Sequence, residues 1–249
     1  MHLKRAVELF EFEGRTSSSP LVTGTWTTTS DEVVEPVMMS TAAAQWEIVI
    51  TRQRGDLTVM VRGPEAEAAP APVPQDAEFF GIQFSLGTFM PGVDLRRLVG
   101  DGLTLPTPSP RSLWLDGEAW ELPTPDNADV FVDRLVAAGL LVHDPVAAAA
   151  VQADLGDTGP GAFGGFGGPG TPPRLSTRSV ERRVARATGL TRGTIRQIHR
   201  AGQAVELLTA GGAPVDVVRR LGYADQPHLT RSLRRFFGRT PAQMAAAGA

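Results

Sequence analysis

Leu221-Gly222-Tyr223-Ala224-Asp225-Gln226-Pro227-His228-Leu229-Thr230-Arg231-Ser232-Leu233-Arg234-Arg235-Phe236-Phe237-Gly238-Arg239-Thr240-Pro241 reads as the end of one helix, a tight turn and a second helix. Just upstream, Pro214 suits a first helical position, and Val217, Val218 and Leu221 mark an apolar face before Gly222 stops the run. Asp225 is placed to cap the next helix, which puts Leu229, Leu233 and Phe236 at i, i+4 and i+7 on one buried stripe. At about 100° per residue, Pro227, Thr230, Arg231, Arg234 and Arg235 then point away from that stripe, with Gln226 and His228 flanking the first turn. Such a face has the chemistry of a helix that reads DNA. Arginine takes guanine bidentately, glutamine takes adenine, threonine offers a hydroxyl or a methyl group, and further arginines hold phosphates without reading sequence. Spacing alone leaves a second reading open, a helical hairpin with a solvated basic face.

The match extends further than one turn. Gly222-Tyr223-Ala224-Asp225-Gln226, the following 229–237 helix, Gly238 to Pro241, and the earlier Leu175-Ser176-Thr177-Arg178-Ser179-Val180-Glu181-Arg182-Arg183-Val184 with Ala187-Thr188-Gly189-Leu190 resemble the DNA-binding domain of the AraC/XylS family of bacterial transcription regulators. The resemblance covers about 70 residues, a little over a quarter of the chain. It implies two helix-turn-helix units joined by one long helix, a part that residues 191–208 suit. Ile195, Ile198, Val205 and Leu208 fall near one face there, and Gly211-Gly212 stop it. By the same resemblance the base-reading positions are Arg178, Glu181 and Arg182 on the first recognition helix and Gln226, His228, Thr230 and Arg231 on the second. Arg234 and Arg235 are left for the DNA backbone. Ser176 would cap the first recognition helix, with Val180 and Val184 facing its core.

The chain departs from the family where the first unit should have its supporting helix. Residues 156–173 hold eight Gly and four Pro in eighteen positions, a composition that forms a flexible linker and not a helix. Either the support is lost, or residues 144–155 stand in for it from a distance. No Gly-Lys-Ser/Thr follows the glycines, so a phosphate-binding loop is not expected. Charge is divided along the chain. Residues 174–240 carry 14 Arg against 4 acidic residues, net +10, while the remainder is net −13 under an overall −3. A basic segment on an acidic protein is the electrostatic footprint of nucleic-acid binding.

The first 120 residues read as strands at 21–29, 46–52, 56–62 and 78–85. A loop is expected over 64–75, a helical turn near 94–99, and an amphipathic helix over 126–141 with Val130, Phe131, Leu135 and Val136 on its apolar face. The expected fold class is α+β, a β-rich cupin-like barrel followed by an all-α helix-turn-helix domain. The divisions are 1–143, a helix with linker over 144–173, and 174–249. By family analogy the barrel senses a small-molecule effector or forms a homodimer, and Trp26, Trp46, Phe84 and Trp114 are candidates to line its cavity, with Trp120 nearby in sequence. Aromatics on strands equally well make plain core.

No catalytic residue and no cofactor is expected. The four histidines, His2, His143, His199 and His228, are scattered, none in the paired arrangement that metal-dependent barrels use, so no metal is expected. The acidic group Asp31, Glu32 and Glu35 reads as a solvated loop. Cysteine is absent, which excludes disulfides and Cys-ligated zinc. Charged Glu8, Glu11 and Glu13 replace the apolar core of an export signal, and no apolar run of eighteen exists, so no membrane association and a cytoplasmic location are expected. The expectation is a transcription regulator that binds double-stranded promoter DNA and contacts RNA polymerase. The alternative is a small-molecule sensor acting by protein contact, its DNA-binding domain degenerate.

Overall fold

Runs of Val, Ile, Thr and aromatic residues, broken by Gly, Pro and Asp, become short antiparallel strands in the computed structural model, which describes residues 12–30, 37–156 and 176–246. In chain order these are β1 (Glu13–Arg15), β2 (Val22–Ser30), β3 (Val37–Ser40), β4 (Glu47–Gln53), β5 (Asp56–Arg62) and β6 (Ala69–Pro72). After them come β7 (Ala77–Phe84), β8 (Thr88–Phe89), β9 (Gly102–Leu105), β10 (Ser112–Leu115), β11 (Glu118–Glu121) and β12 (Val142–His143). Six strands make one sheet in the order β1-β2-β7-β4-β5-β9, and the rest pair as the ribbons β10-β11, β12-β8 and β3-β6. Register aligns the apolar side chains in rows. Ile82, Ile48 and Val61 lie across from one another, as do Phe80, Ile50 and Val59, all buried on one face.

The sheet is open, which corrects the expected barrel. Its edges, β1 and β9, do not pair with each other among the described residues. They are three and four residues long, and Pro106, Pro108 and Pro110 follow β9 without a backbone N–H to continue a ladder. Residues 64–75 also differ from the expected loop, because β6 pairs there with β3. The turn near 94–99 forms as a 3-10 turn over Leu95–Arg97.

The helix expected over 126–141 is the shorter α1 (Ala128–Ala137). Its buried stripe is Ala128, Phe131, Val132 and Leu135, an i, i+3, i+4, i+7 set, which leaves Val130 60% and Val136 40% exposed. Then follow α2 (Pro145–Leu155), α3 (Thr177–Thr188), α4 (Arg192–Thr209), α5 (Pro214–Leu221), α6 (Gln226–Phe237) and α7 (Pro241–Ala246). Buried side chains of the sheet and of these helices belong to one continuous apolar cluster. No helix of the described residues is long and apolar enough to cross a membrane. Asp31, Glu32, Glu35, His2 and the linker beyond Gly156 lie outside the described residues.

Gly81, in the central strand β7, is where the indole of Trp26 lies flat against the backbone. A Cβ there would come within 2.1 Å of the Trp26 ring, whose Nε1 donates to the buried Glu47 carboxylate at 2.9 Å. Gly81→Ala is therefore expected to lower stability by about 1–3 kcal/mol through overpacking, read as a reduced midpoint of urea unfolding at unchanged slope.

Candidate nucleic-acid interface

Local sequence chemistry builds the second helix-turn-helix. Pro214 opens α5 and Gly222 ends it at φ 67°, a left-handed conformation that glycine adopts without strain. Asp225 caps α6 by accepting the His228 N–H at 2.6 Å. Leu229, Leu233, Phe236 and Phe237 are buried, as the period requires. On the outward side Gln226, Arg231, Arg234 and Arg235 are exposed, while His228 and Thr230 are half-buried. The Thr230 hydroxyl donates back to the Gln226 carbonyl at 3.0 Å, which leaves its methyl group and an oxygen lone pair for a ligand. His228 accepts the Ala224 N–H on Nδ1 at 3.4 Å and meets the Tyr223 ring edge to face at 5.2 Å. Behind it the Arg200 guanidinium of α4 covers the other partner, lying 4.4 Å from the Tyr223 ring centre. The packing of Arg200 on Tyr223 does not follow from period or cap.

The first unit is completed from outside the matched segment. Ser176 caps α3 by accepting the Ser179 N–H at 3.2 Å, and Val184 is fully buried beside half-buried Val180. Against this helix packs α2, the stand-in raised by the sequence. Its start carries a cap signature, Asp144-Pro145, and Asp144 accepts the N–H groups of Val146 and Ala147 at 3.0 and 3.1 Å. Asp144 also pairs with Arg183 of α3 at 2.8 Å, and Asp154 at the far end takes Arg192 of α4 at 2.8 Å. The Asp154 bond, together with Glu181, raises the Arg192 pKa above its ordinary value. With Ala147 and Val151 buried between these charges, α2 supplies a supporting face across the intervening linker.

Arg178 and Arg182 are exposed on α3, whereas Glu181 is half-buried and lies 3.4 Å from Arg192. The other arginines of α3 are exposed but engaged within the chain, Arg183 by Asp144 and Arg186 by the Phe89 ring, 5.0 Å from its centre. Arg219 and Arg220, exposed in the last turn of α5, are basic positions that the sequence reading passed over. His143 pairs through Nδ1 with Thr88 Oγ1 at 3.2 Å, and burial holds its pKa below the usual histidine value.

The four candidate cavity aromatics do not share a cavity. Trp46 and Phe84 stack at 4.0 Å inside the sheet core, and Trp46 Nε1 donates to the Thr88 carbonyl at 2.7 Å. Trp26 lies on Gly81, and Trp114 is 44% exposed on its ribbon. Two surface clefts beside α1, of about 60 and 80 Å³, are lined by other residues. Among the described residues no three His, Asp or Glu side chains are grouped as metal ligands would be.

Asp154→Ala is expected to lower the stability of the helical unit by about 1.5–3 kcal/mol, the range for a lost charge-assisted hydrogen bond. Denaturant unfolding followed by far-ultraviolet circular dichroism reads it as a lowered midpoint.

A family model described as a helix-turn-helix domain matches residues 174–247, under a third of the chain. No curated protein and no solved structure matches it. The match covers the segment whose sequence resembles the AraC/XylS regulators, and residues 174–247 are accordingly a DNA-binding helix-turn-helix domain of a transcription regulator.

Proposed function

We propose that this chain is a sequence-specific regulator that occupies promoter DNA through two recognition helices, α6 as the principal reader and α3 as the second. The observation that carries the reading is the outward face of α6. Gln226 and Arg231, with hydrogen-bonding chemistry suited to base edges, stand exposed opposite a fully buried Leu229–Leu233 stripe, with Arg234 and Arg235 toward the helix end. Arg219 and Arg220 fit the helix that crosses the DNA backbone in such motifs. Support for α3 as a reader comes from α2, because the packed supporting helix removes the reason for treating the first unit as degenerate. The half-buried Glu181, held toward Arg192, is assigned to orienting α3 more than to a base. A small-molecule effector would need another site than the four aromatics, since a typical ligand pocket is about 300 Å³ or more.

Selection from a random duplex pool, followed by affinity against salt, tests the assignment. An enriched site bound much more tightly than its scramble is expected; binding without enrichment would reduce the domain to a phosphate grip. On the enriched site Arg231→Ala should cost about 1–3 kcal/mol and relax one base position. Arg235→Ala should weaken all duplexes alike and lower the salt slope by about one. Equal losses on specific and random DNA for both variants would refute the division of roles.

A further inference from the structure

The C-terminal ends of both recognition helices rest on the N-terminal part of the chain, on neighbouring residues of it. The last carbonyls of a helix lack partners within the helix and must find them elsewhere. For α6 two of them are satisfied across the molecule. The Ala42 N–H donates to the Phe236 carbonyl and the Ala68 N–H to the Arg235 carbonyl, both at 2.8 Å. Gly238, which ends α6 at φ 68°, lies so near Met39 that a Cβ would come within 2.7 Å of Met39 Cγ. The end of α3 is seated by close packing. Gly189, at φ 75°, would place a Cβ 2.7 Å from the Leu95 carbonyl oxygen and 3.1 Å from Pro64.

One short strip of chain joins the two seats. Pro64 touches the end of α3, and its neighbour Glu65 exchanges backbone hydrogen bonds of 2.8 and 3.0 Å with Ala43, next to the Ala42 that holds α6. The strip is stiffened from beneath by Arg62, which bonds the Glu65 and Glu47 carboxylates and the Ser40 hydroxyl. None of these contacts covers the reading faces: Arg178, Arg182, Gln226 and Arg231 remain exposed. The seat holds the ends of the helices opposite to their capped, reading starts.

We propose that this strip, residues 39–43 and 62–68 with Leu95, is a positioning element that fixes the two recognition helices relative to each other, so that the N-terminal part sets the spacing of the two DNA half-sites that the chain accepts. The inference rests on the reading of α3 and α6 as DNA readers. Its physical basis is that two binding modules held rigidly engage a matched double site with a high effective concentration, and lose that advantage when the hold is loosened or the spacing is wrong.

The test uses the full chain and three duplexes: the selected site, the same site with one half scrambled, and the site with about five base pairs, half a helical turn, inserted between the halves. Met39→Ala removes an exposed side chain from the seat, and Ala68→Pro removes the donor to Arg235. Both variants are expected to bind the half-scrambled duplex as the parent does, to bind the intact site about tenfold more weakly, and to lose most of the parent's penalty for the insertion. Parent-like affinities for all variants on all three duplexes would overturn the positioning role while leaving DNA reading intact. Tighter binding by the variants would overturn it in favour of an inhibitory seat. A parent with no sequence preference would instead remove the DNA-reading assignment on which the proposal rests.

Discussion

Glu47 is a carboxylate only 3% exposed in the middle of a sheet, and much of the arrangement of this molecule follows from satisfying it. A buried charge without partners costs several kcal/mol, so its surroundings are constrained to supply them. Trp26 of β2 donates its indole N–H at 2.9 Å, and Arg62 of β5 approaches at 3.5 Å. Arg62 then reaches Glu65 and Ser40, tying the β3-β6 ribbon to the main sheet. Burial alone would depress the Arg62 pKa, but the two carboxylates outweigh it and raise the value, so the guanidinium stays charged throughout the range in which proteins fold. The ribbon that carries Met39 and is entered just after Ala68, and with it the end of α6, is thus anchored to a charge cluster inside the sheet.

The helical part shows the same economy with less burial. Its first unit lacks a neighbouring supporting helix in sequence, yet α2 meets both α3 and α4, pinned by an Asp at each end, Asp144 to Arg183 and Asp154 to Arg192. Two ion pairs and the apolar contacts of Ala147 and Val151 hold it there. The N-terminus of α2 also touches the β7–β8 turn, where Gly87 admits the Ala148 methyl group at a distance that a Cβ on Gly87 would block. One helix therefore braces a recognition unit and that turn at once.

The sequence was most legible where the signals were local. The second helix of the turn could be read with its cap and stripe because Asp225, Leu229, Leu233 and Phe236 each act within one or two turns of the helix they define. Strands over 22–30, 47–53, 56–62 and 77–84 followed from composition for the same reason. The failures were long-range. Whether a sheet closes depends on which edges meet, and nothing in the local run of β1 or β9 states that. Val130 and Val136 looked like core by hydrophobicity, but which stripe of α1 is buried is decided by what it packs on, Trp120 among others at 6.4 Å from Phe131. The seat for Gly189 and Gly238 was invisible for the same reason: each glycine is readable as a helix stop, while the Leu95 and Met39 that lie against them are more than ninety residues away.

These placements also bear on how such a molecule would respond to a signal. Aromatics that might have walled a binding cavity are spent instead on filling: Trp46 stacks on Phe84, and Trp26 closes over Gly81. A well-packed core of this kind transmits displacement because it has few voids to absorb it. The path from the sheet to α6 is correspondingly short, running from Glu47 through Arg62 and Glu65 to Ala43 and Ala42, and every step in it is a hydrogen bond, an ion pair or a covalent link. On the proposal that α6 and α3 each read a stretch of one duplex, a shift of β4 against β5 would act first on the pair at the head of that path and would change the orientation of α6 against α3, the quantity that would decide which DNA is bound.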